Sequence, residues 1–183
     1  MPHEFSTSYL KDSLAVFHLW KSLGEKALAQ VRDEDFHVNL DPESNSLAVI
    51  IKHLYGNMRS RWSDFLTTDG EKPDRHRDTE FEMPEQLSRA QIMELWDRGW
   101  KYVFDALEPL TDADLDRKVF IRAEPHSVMQ AINRQVAHYA NHIGQIIFLA
   151  KHFRSAEWKA VTIPRGKSEE FLRKVQTGEA SQR

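Results

Sequence analysis

Four long segments of the 183-residue sequence repeat apolar residues in steps of three and four. This spacing places the apolar side chains on one face of an α-helix, so each segment has to bury that face against another element. The four predicted helices run from about Phe5 to Val31, from a cap at Asn45 or Ser46 to about Phe65, from about Pro84 to Pro109, and from about Ser127 to Phe153. Amphipathic helices of this number and length are most simply buried as a four-helix bundle, so we predict an all-α fold.

The segments between the predicted helices are polar and contain most of the glycines and prolines. Residues 67–78 (TTDGEKPDRHRD) predict a polar loop, and residues 111–126 a connector before the fourth helix. Within that connector KVFIRA, residues 118–123, is short, apolar and partly β-branched, which predicts one short extended piece. The segment from residue 155 onward predicts a tail with a short helical turn. We expect one domain over residues 1–183, because a chain of this length suffices for a single core.

Charge and composition exclude several classes of function. The formal net charge of −3 lacks the basic surface of a nucleic-acid-binding protein. No apolar run approaches the roughly 18 residues of a membrane-spanning helix, and the first residues (MPHEFSTSYLKD) do not have the pattern of a signal peptide. We therefore expect a cytoplasmic protein that binds neither nucleic acid nor membrane. The sequence contains no cysteine, which excludes disulfides, thiolate zinc sites and a cysteine nucleophile.

Two histidines of the fourth predicted helix are candidate metal ligands. His138 and His142 are four residues apart, so their rings lie about one turn apart on one side of the helix and can converge on one ion. On a helical wheel they lie roughly 80–120° from the centre of the apolar face, at its polar border. Nine histidines in 183 residues produce roughly 0.4 such pairs by chance, so the pair alone leaves open that both are packing residues.

His53 of the second predicted helix is a candidate third ligand. It lies about 120° from the centre of its own apolar stripe, on the same side of the wheel as the later pair. If the second and fourth helices are neighbours, three neutral imidazoles with one open position would suit zinc, nickel or iron, and the ion would lower the pKa of bound water. The alternative, which spacing alone favours slightly, is a partly buried histidine bonded to a backbone carbonyl.

Other polar residues have weaker signals. Tyr139 stands where the helix of a zinc protease has glutamate, and one EDFH segment does not make the paired motif of a di-iron bundle. His126, at the entrance to the fourth helix, belongs either to the same pocket or to the surface. Arg75, Arg77 and Glu80 lie in a charged segment that either reaches a pocket mouth or is simply solvated.

Three stretches of the sequence carry a resemblance to a known superfamily: residues 45–82 (NSLAVIIKHLYGNMRSRWSDFLTTDGEKPDRHRDTEFE), residues 126–153 (HSVMQAINRQVAHYANHIGQIIFLAKHF), and Trp158 followed by IPRGKS. The chain resembles the DinB-like superfamily, in particular its branch of small bacterial proteins classified as a domain of unknown function. The resemblance implies a DinB-type four-helix bundle, usually a homodimer, in which one histidine of the second helix and two of the fourth hold a divalent metal ion. His53, His138 and His142 fall on those positions.

The resemblance also implies a chemistry. In better understood relatives the metal activates the sulfur of a small thiol, such as bacillithiol, mycothiol or glutathione, for transfer or isomerisation. A metal-bound thiolate would then be the nucleophile, which allows a chain without cysteine to perform sulfur chemistry. The predicted function is a metal-dependent thiol S-transferase acting on small electrophiles. The alternatives are a non-catalytic metal-binding or stress-associated dimeric bundle, and a bundle without metal.

Overall fold

The computed structural model describes residues 5–83 and 86–181. Within these residues the helices and strands are α1 (Tyr9–Leu28), α2 (Leu47–Trp62), α3 (Arg89–Leu107), β1 (Lys118–Ile121), β2 (Glu124–Ser127), α4 (Val128–Arg154) and α5 (Ser168–Gln176). Short 3₁₀ helices lie at Asp33–His37, Arg77–Phe81, Asp112–Asp114 and Ser155–Glu157. The prediction of a mostly helical chain is confirmed, because most described residues lie in helices. The sheet in the described residues has only two short strands.

Serine side chains cap the four long helices and decide where they begin. The hydroxyl oxygens of Ser8, Ser46, Ser88 and Ser127 each accept a hydrogen bond from the backbone N–H three residues later. A glutamine at that third position completes a capping box in α3 and α4. The helices therefore start at or after these caps, which makes α1 shorter at its N-terminus than the predicted start at Phe5. The predicted start of the third helix, Pro84, lies outside the described residues.

The four long helices pack around one continuous cluster of buried apolar side chains. α1 packs against α4, α2 packs against α3, and α2 also contacts α4. Aromatic rings fill the centre of this cluster, where Trp100 lies edge-on to both Trp96 and Tyr139 at ring-centroid distances of 5.7 Å. Because α2 and α4 are in contact, His53 on α2 can lie close to His138 and His142 on α4.

A hairpin fixes the polar loop that follows α2. β1 and β2 are antiparallel with Lys118 opposite Ser127, so the predicted extended piece is a strand over its first four residues. Its last two residues, Arg122 and Ala123, have φ angles of 55° and 63° and form the turn. Both oxygens of the Asp69 carboxylate accept hydrogen bonds from the backbone N–H groups of these turn residues, at 2.8 and 2.7 Å. The loop is therefore anchored at its start.

The tail after α4 returns to α1. The Gln30 amide donates to the Lys159 carbonyl at 3.0 Å and accepts from the Lys159 N–H at 2.8 Å. The predicted short helical turn is the nine-residue helix α5, which buries no residue. In the part of the chain that the structure describes, no helix is both long enough and apolar enough to cross a membrane.

Two helix glycines give a test of the packing. A Cβ at Gly24 would lie 2.8 Å from Cζ2 of Trp96, so we expect Gly24→Ala to lower the free energy of unfolding by about 1–3 kcal/mol. A Cβ at Gly144 would meet no described atom within 4 Å, so Gly144→Ala should raise that free energy by about 0.5–1 kcal/mol. Urea unfolding followed by circular dichroism measures both. A stabilising effect of Gly24→Ala would contradict the close contact with Trp96.

Candidate metal site

The three candidate histidines meet between α2 and α4. Nε2 of His138 lies 3.4 Å from Nε2 of His53 and 3.1 Å from Nε2 of His142. Two nitrogens that bind one tetrahedral zinc ion at their usual bond lengths are about 3.3 Å apart. The three ring nitrogens, which all lie within 4.8 Å of one another, are therefore close enough to bind one metal ion.

His53 is more deeply buried than the helical wheel indicated. Only 4% of it is exposed, whereas His138 and His142 are partly buried on the flank of α4. The 3₁₀ helix at Arg77–Phe81 covers His53. The ring of Phe81 stacks on the imidazole, with the two ring centroids 4.9 Å apart. The guanidinium of Arg77 lies over the Phe81 ring at 5.0 Å. This segment therefore closes one side of the candidate site.

Glu80 orients the ring of His53. Its Oε2 lies 2.8 Å from Nδ1 of His53, and Arg75 donates from Nε to Oε1 at 2.8 Å and from Nη2 to Oε2 at 3.1 Å. Burial alone raises the pKa of Glu80, but the hydrogen bonds from His53 and Arg75 outweigh burial and hold that pKa below its ordinary value. The ionised carboxylate accepts the Nδ1–H of His53, which leaves the Nε2 lone pair directed at the other two rings.

Gln145 has the corresponding role for His142. Its Oε1 lies 2.8 Å from Nδ1 of His142 and accepts the ring N–H, so this ring also presents an unprotonated Nε2. Burial lowers the pKa of His142, and the hydrogen bond with Gln145 offsets part of that effect. Burial and the neighbouring His142 and His53 lower the pKa of His138 to about 3. His138 and His142 are therefore neutral at neutral pH, which is the form that binds metal.

The structure gives the surroundings of the residues that spacing singled out. Nδ1 of His53 bonds to a carboxylate, so the expected alternative partner, a backbone carbonyl, is wrong. Arg75 and Glu80 have buried side chains in the site, whereas the side chain of Arg77 is half exposed on its outer surface. His126 lies on β2, where its Nδ1 is 2.9 Å from a backbone carbonyl of the same strand. It is not part of the three-histidine group.

Sequence reasoning missed Gln145, and it named Glu80 as a residue of a charged segment without connecting it to His53. Gln145 is three residues after His142, so helical spacing alone was a usable signal for it. Glu80 follows His53 by 27 residues of mostly irregular chain, and no spacing rule connects them. Gly56 was an indirect signal, because a Cβ at this position would lie 2.7 Å from Cδ of Glu80. A glycine inside α2 thus makes room for the carboxylate.

The fold and the site define a helical protein with a candidate three-histidine metal site. The chain belongs to the family described as "Protein of unknown function (DUF1572)", whose model matches residues 4–167. That range contains the three histidines together with Glu80 and Gln145. No curated protein matches the chain, and no solved structure matches it.

Gly56→Ala tests the role of Glu80. A helix glycine replaced by alanine normally gains about 0.5–1 kcal/mol of stability, but here the new methyl group would displace the carboxylate from His53. We expect the affinity for a divalent ion to fall by about 10–100-fold, as for other losses of a ligand's hydrogen-bond partner. Competition with a chromophoric chelator measures this affinity. Gly144→Ala is the matched control and should bind metal normally; equal affinities of both variants would contradict the orienting role of Glu80.

The depressed pKa of His138 predicts a pH dependence of the metal-free protein. The unfolded chain binds a proton at this ring near pH 6.5, whereas the folded chain does not until about pH 3. The free energy of unfolding is therefore complete above pH 6.5 and falls as the pH decreases toward 3. The slope cannot exceed about 1.4 kcal/mol per pH unit, because one ring takes up at most one proton. Solvent screening of the partly buried ring makes the slope smaller than this limit.

Urea unfolding in the presence of a chelator, between about pH 7 and pH 5, measures this slope. His138→Gln should flatten it, because the variant has no ring to protonate in the unfolded chain. A slope that is unchanged in the variant would mean that other groups cause the loss of stability.

Proposed function

We propose that this protein is a metal-dependent thiol S-transferase of the DinB-like superfamily, that its four long helices form a DinB-type four-helix bundle, and that it acts on small electrophiles. The observation that carries the proposal is the convergence of three Nε2 atoms from α2 and α4, two of them on rings whose Nδ1 is held by an acceptor. We expect the protein to bind a small thiol and to form a homodimer.

The donor set fits a divalent cation. Because Glu80 and Gln145 accept the Nδ1–H groups of His53 and His142, the lone pairs on their Nε2 atoms point into the same small space. Lone pairs that face each other at this range repel unless a proton or a cation lies among them. Three neutral imidazoles suit zinc, nickel or iron, and the metal supply of the cell selects among such ions.

A divalent ion held by His53, His138 and His142 would supply Lewis acidity and lower the pKa of a coordinated thiol or water molecule. The three rings fix its position, while Glu80 and Gln145 fix the rings. Among the described residues no carboxylate joins the three-histidine group, and Glu80 is engaged by His53 and Arg75. Three protein ligands are fewer than the four of a closed structural site, which supports an exchangeable position.

A groove that contains Gln145, the hydrogen-bond partner of His142, in one wall supports a small-molecule substrate; none of the three histidines lines it. It lies between residues 40–45 and α4 and has a volume of about 670 Å³, within the range of small-ligand pockets. Asn141 and Gln145, which flank His142 on α4, line one wall, and the exposed ring of Phe148 lines the same wall further along the helix. The mixture of amide and apolar groups is typical of a pocket for small organic molecules.

The proposed reaction joins a thiol to an electrophilic carbon. The thiol loses its proton, its sulfur forms a bond to the carbon, and a leaving group such as chloride departs with its bonding electron pair. The sulfur comes from the substrate, so the reaction is compatible with a chain that contains no cysteine.

Metal content is the first test. Protein purified without an affinity tag should contain about one divalent ion per chain by elemental analysis. His53→Ala, His138→Ala and His142→Ala should each lose most of it, while His126→Ala, in the hairpin, should retain it. Metal that survives all three substitutions, or that is lost equally in His126→Ala, would contradict the site.

Catalysis is the second test. The metal-loaded protein is incubated with bacillithiol, mycothiol or glutathione and a chlorinated aromatic acceptor, and thioether formation is followed by absorbance. We expect an acceleration over the triple alanine variant at the three histidines. If metal is bound and no thiol reacts faster, the transferase proposal fails, and a non-catalytic metal-binding protein with a closed ligand shell takes its place.

A further inference from the structure

Three buried polar atoms of α2 and α4 have no hydrogen-bond partner among the described residues. They are Nδ1 of His138, Oε1 of Gln135 and Nε of Arg61. Only 2% of Gln135 and 5% of Arg61 are exposed. Folded proteins pair such groups with protein atoms or with ordered water, so an ordered water molecule is the first candidate partner for each of them.

Two of the three atoms belong to residues that line one cavity, and the third lies about one helical turn further along α4. Arg61 and Gln135 line the same small cavity between α2, the hairpin and α4. Its volume is about 10 Å³, which is near the lower limit for a single water molecule. Gln135 precedes His138 by three residues, so the two side chains are neighbours on one side of α4. The charge of Arg61 also contributes to the electrostatic environment of the His138 ring.

Both terminal nitrogens of the Arg61 guanidinium are held by acceptors in the loop after α2. Its Nη1 donates to the carbonyl oxygen of Gly70, and its Nη2 donates to Oε2 of Glu71 at 3.1 Å. Glu71 is held in turn by the Nε of Arg122 at 2.8 Å. Since both terminal nitrogens are engaged, Nε cannot reach another acceptor without breaking the contacts between α2 and its loop.

We propose that one buried water molecule in this cavity joins the three atoms, and that Gln135 and Arg61 are positioning residues for His138. The Nε–H of Arg61 donates to the water, and the water donates to Oε1 of Gln135. The Nδ1–H of His138 donates to the same water when Nε2 is the metal ligand. This inference rests on the proposed metal binding and gives His138 the second-nitrogen partner that the other two histidines have in Glu80 and Gln145.

A water molecule fits this position better than a fixed side chain. It can accept the N–H of His138 in the metal-loaded protein and donate to Nδ1 when the ring is in its other tautomer. In both cases it makes about three hydrogen bonds, the usual number for a buried water.

The test compares Gln135→Leu, Gln135→Glu and Gln130→Leu. Gln135→Leu removes the acceptor, so we expect about 10–100-fold weaker binding of zinc in chelator competition. Gln135→Glu keeps an oxygen acceptor and should restore affinity to within a few-fold of the unaltered protein. Gln130→Leu makes the same substitution in the first turn of α4, where the side chain serves the capping box, and should leave zinc affinity unchanged. Unaltered affinity of Gln135→Leu would overturn the inference.

A high-resolution crystal structure of the zinc-loaded protein gives an independent measurement that needs no variant. We expect density for one water within hydrogen-bond distance of Nε of Arg61, Oε1 of Gln135 and Nδ1 of His138; an empty cavity, or a water out of reach of Nδ1 of His138, overturns the inference. Zinc binding by the unaltered protein in the same chelator competition separates the proposed metal binding from the proposed water-mediated role of Gln135. If it takes up no zinc, the proposed function fails, whereas normal uptake with no effect of Gln135→Leu overturns only the water-mediated role.

Discussion

The hydrogen bond between Nδ1 of His53 and Oε2 of Glu80 is the interaction on which the candidate site depends. Both side chains are buried, and a hydrogen bond to an ionised partner is stronger in such a low-dielectric environment. Arg75 balances the carboxylate, and Gly56 leaves the space that it occupies. Without Glu80 the ring of His53 would have no fixed tautomer, and the lone pair of its Nε2 would not be directed at His138.

The same interaction belongs to a network of alternating charges that extends from the hairpin to α2. Arg122 contacts Glu71, Glu71 contacts both Arg61 and Arg75, and Arg75 contacts Glu80. Burial raises the pKa of Glu71, but the surrounding arginines outweigh burial and lower it. In the pair of Arg75 and Glu80, where both side chains are buried, removing Arg75 would leave a buried charge without its ion-pair partner, at a cost of about 3–5 kcal/mol. The hairpin and the loop thus stabilise the fold and position the candidate ligands through the same side chains.

Periodic patterns in the sequence predicted the features that depend on neighbouring residues alone. The helical stripes located the four long helices, KVFIRA located β1, and the four-residue spacing of His138 and His142 placed both rings on the flank of α4. The burial of His53 was beyond these patterns, because it comes from a 3₁₀ helix that packs onto α2 from an irregular loop. The sequence analysis named Glu80 as a candidate near a pocket, but its contact with His53 was unpredictable for the same reason. Its position depends on Arg75 and on the space at Gly56 rather than on any spacing from His53.

Tyr139 supplies no general base to the candidate site. It occupies the position of the general base in the helix of a zinc protease, but its side chain is buried in the core. Its hydroxyl accepts a hydrogen bond from Nε1 of Trp62 at 2.9 Å and donates one to Oδ1 of Asn57 at 3.2 Å. Burial raises the pKa of Tyr139, so the phenol stays protonated. Glu80, the carboxylate hydrogen-bonded to a histidine of the group, is already ionised and occupied. Neither side chain can therefore act as the general base of a zinc protease, and the proposed thiol nucleophile has a proton that is easier to remove than that of water.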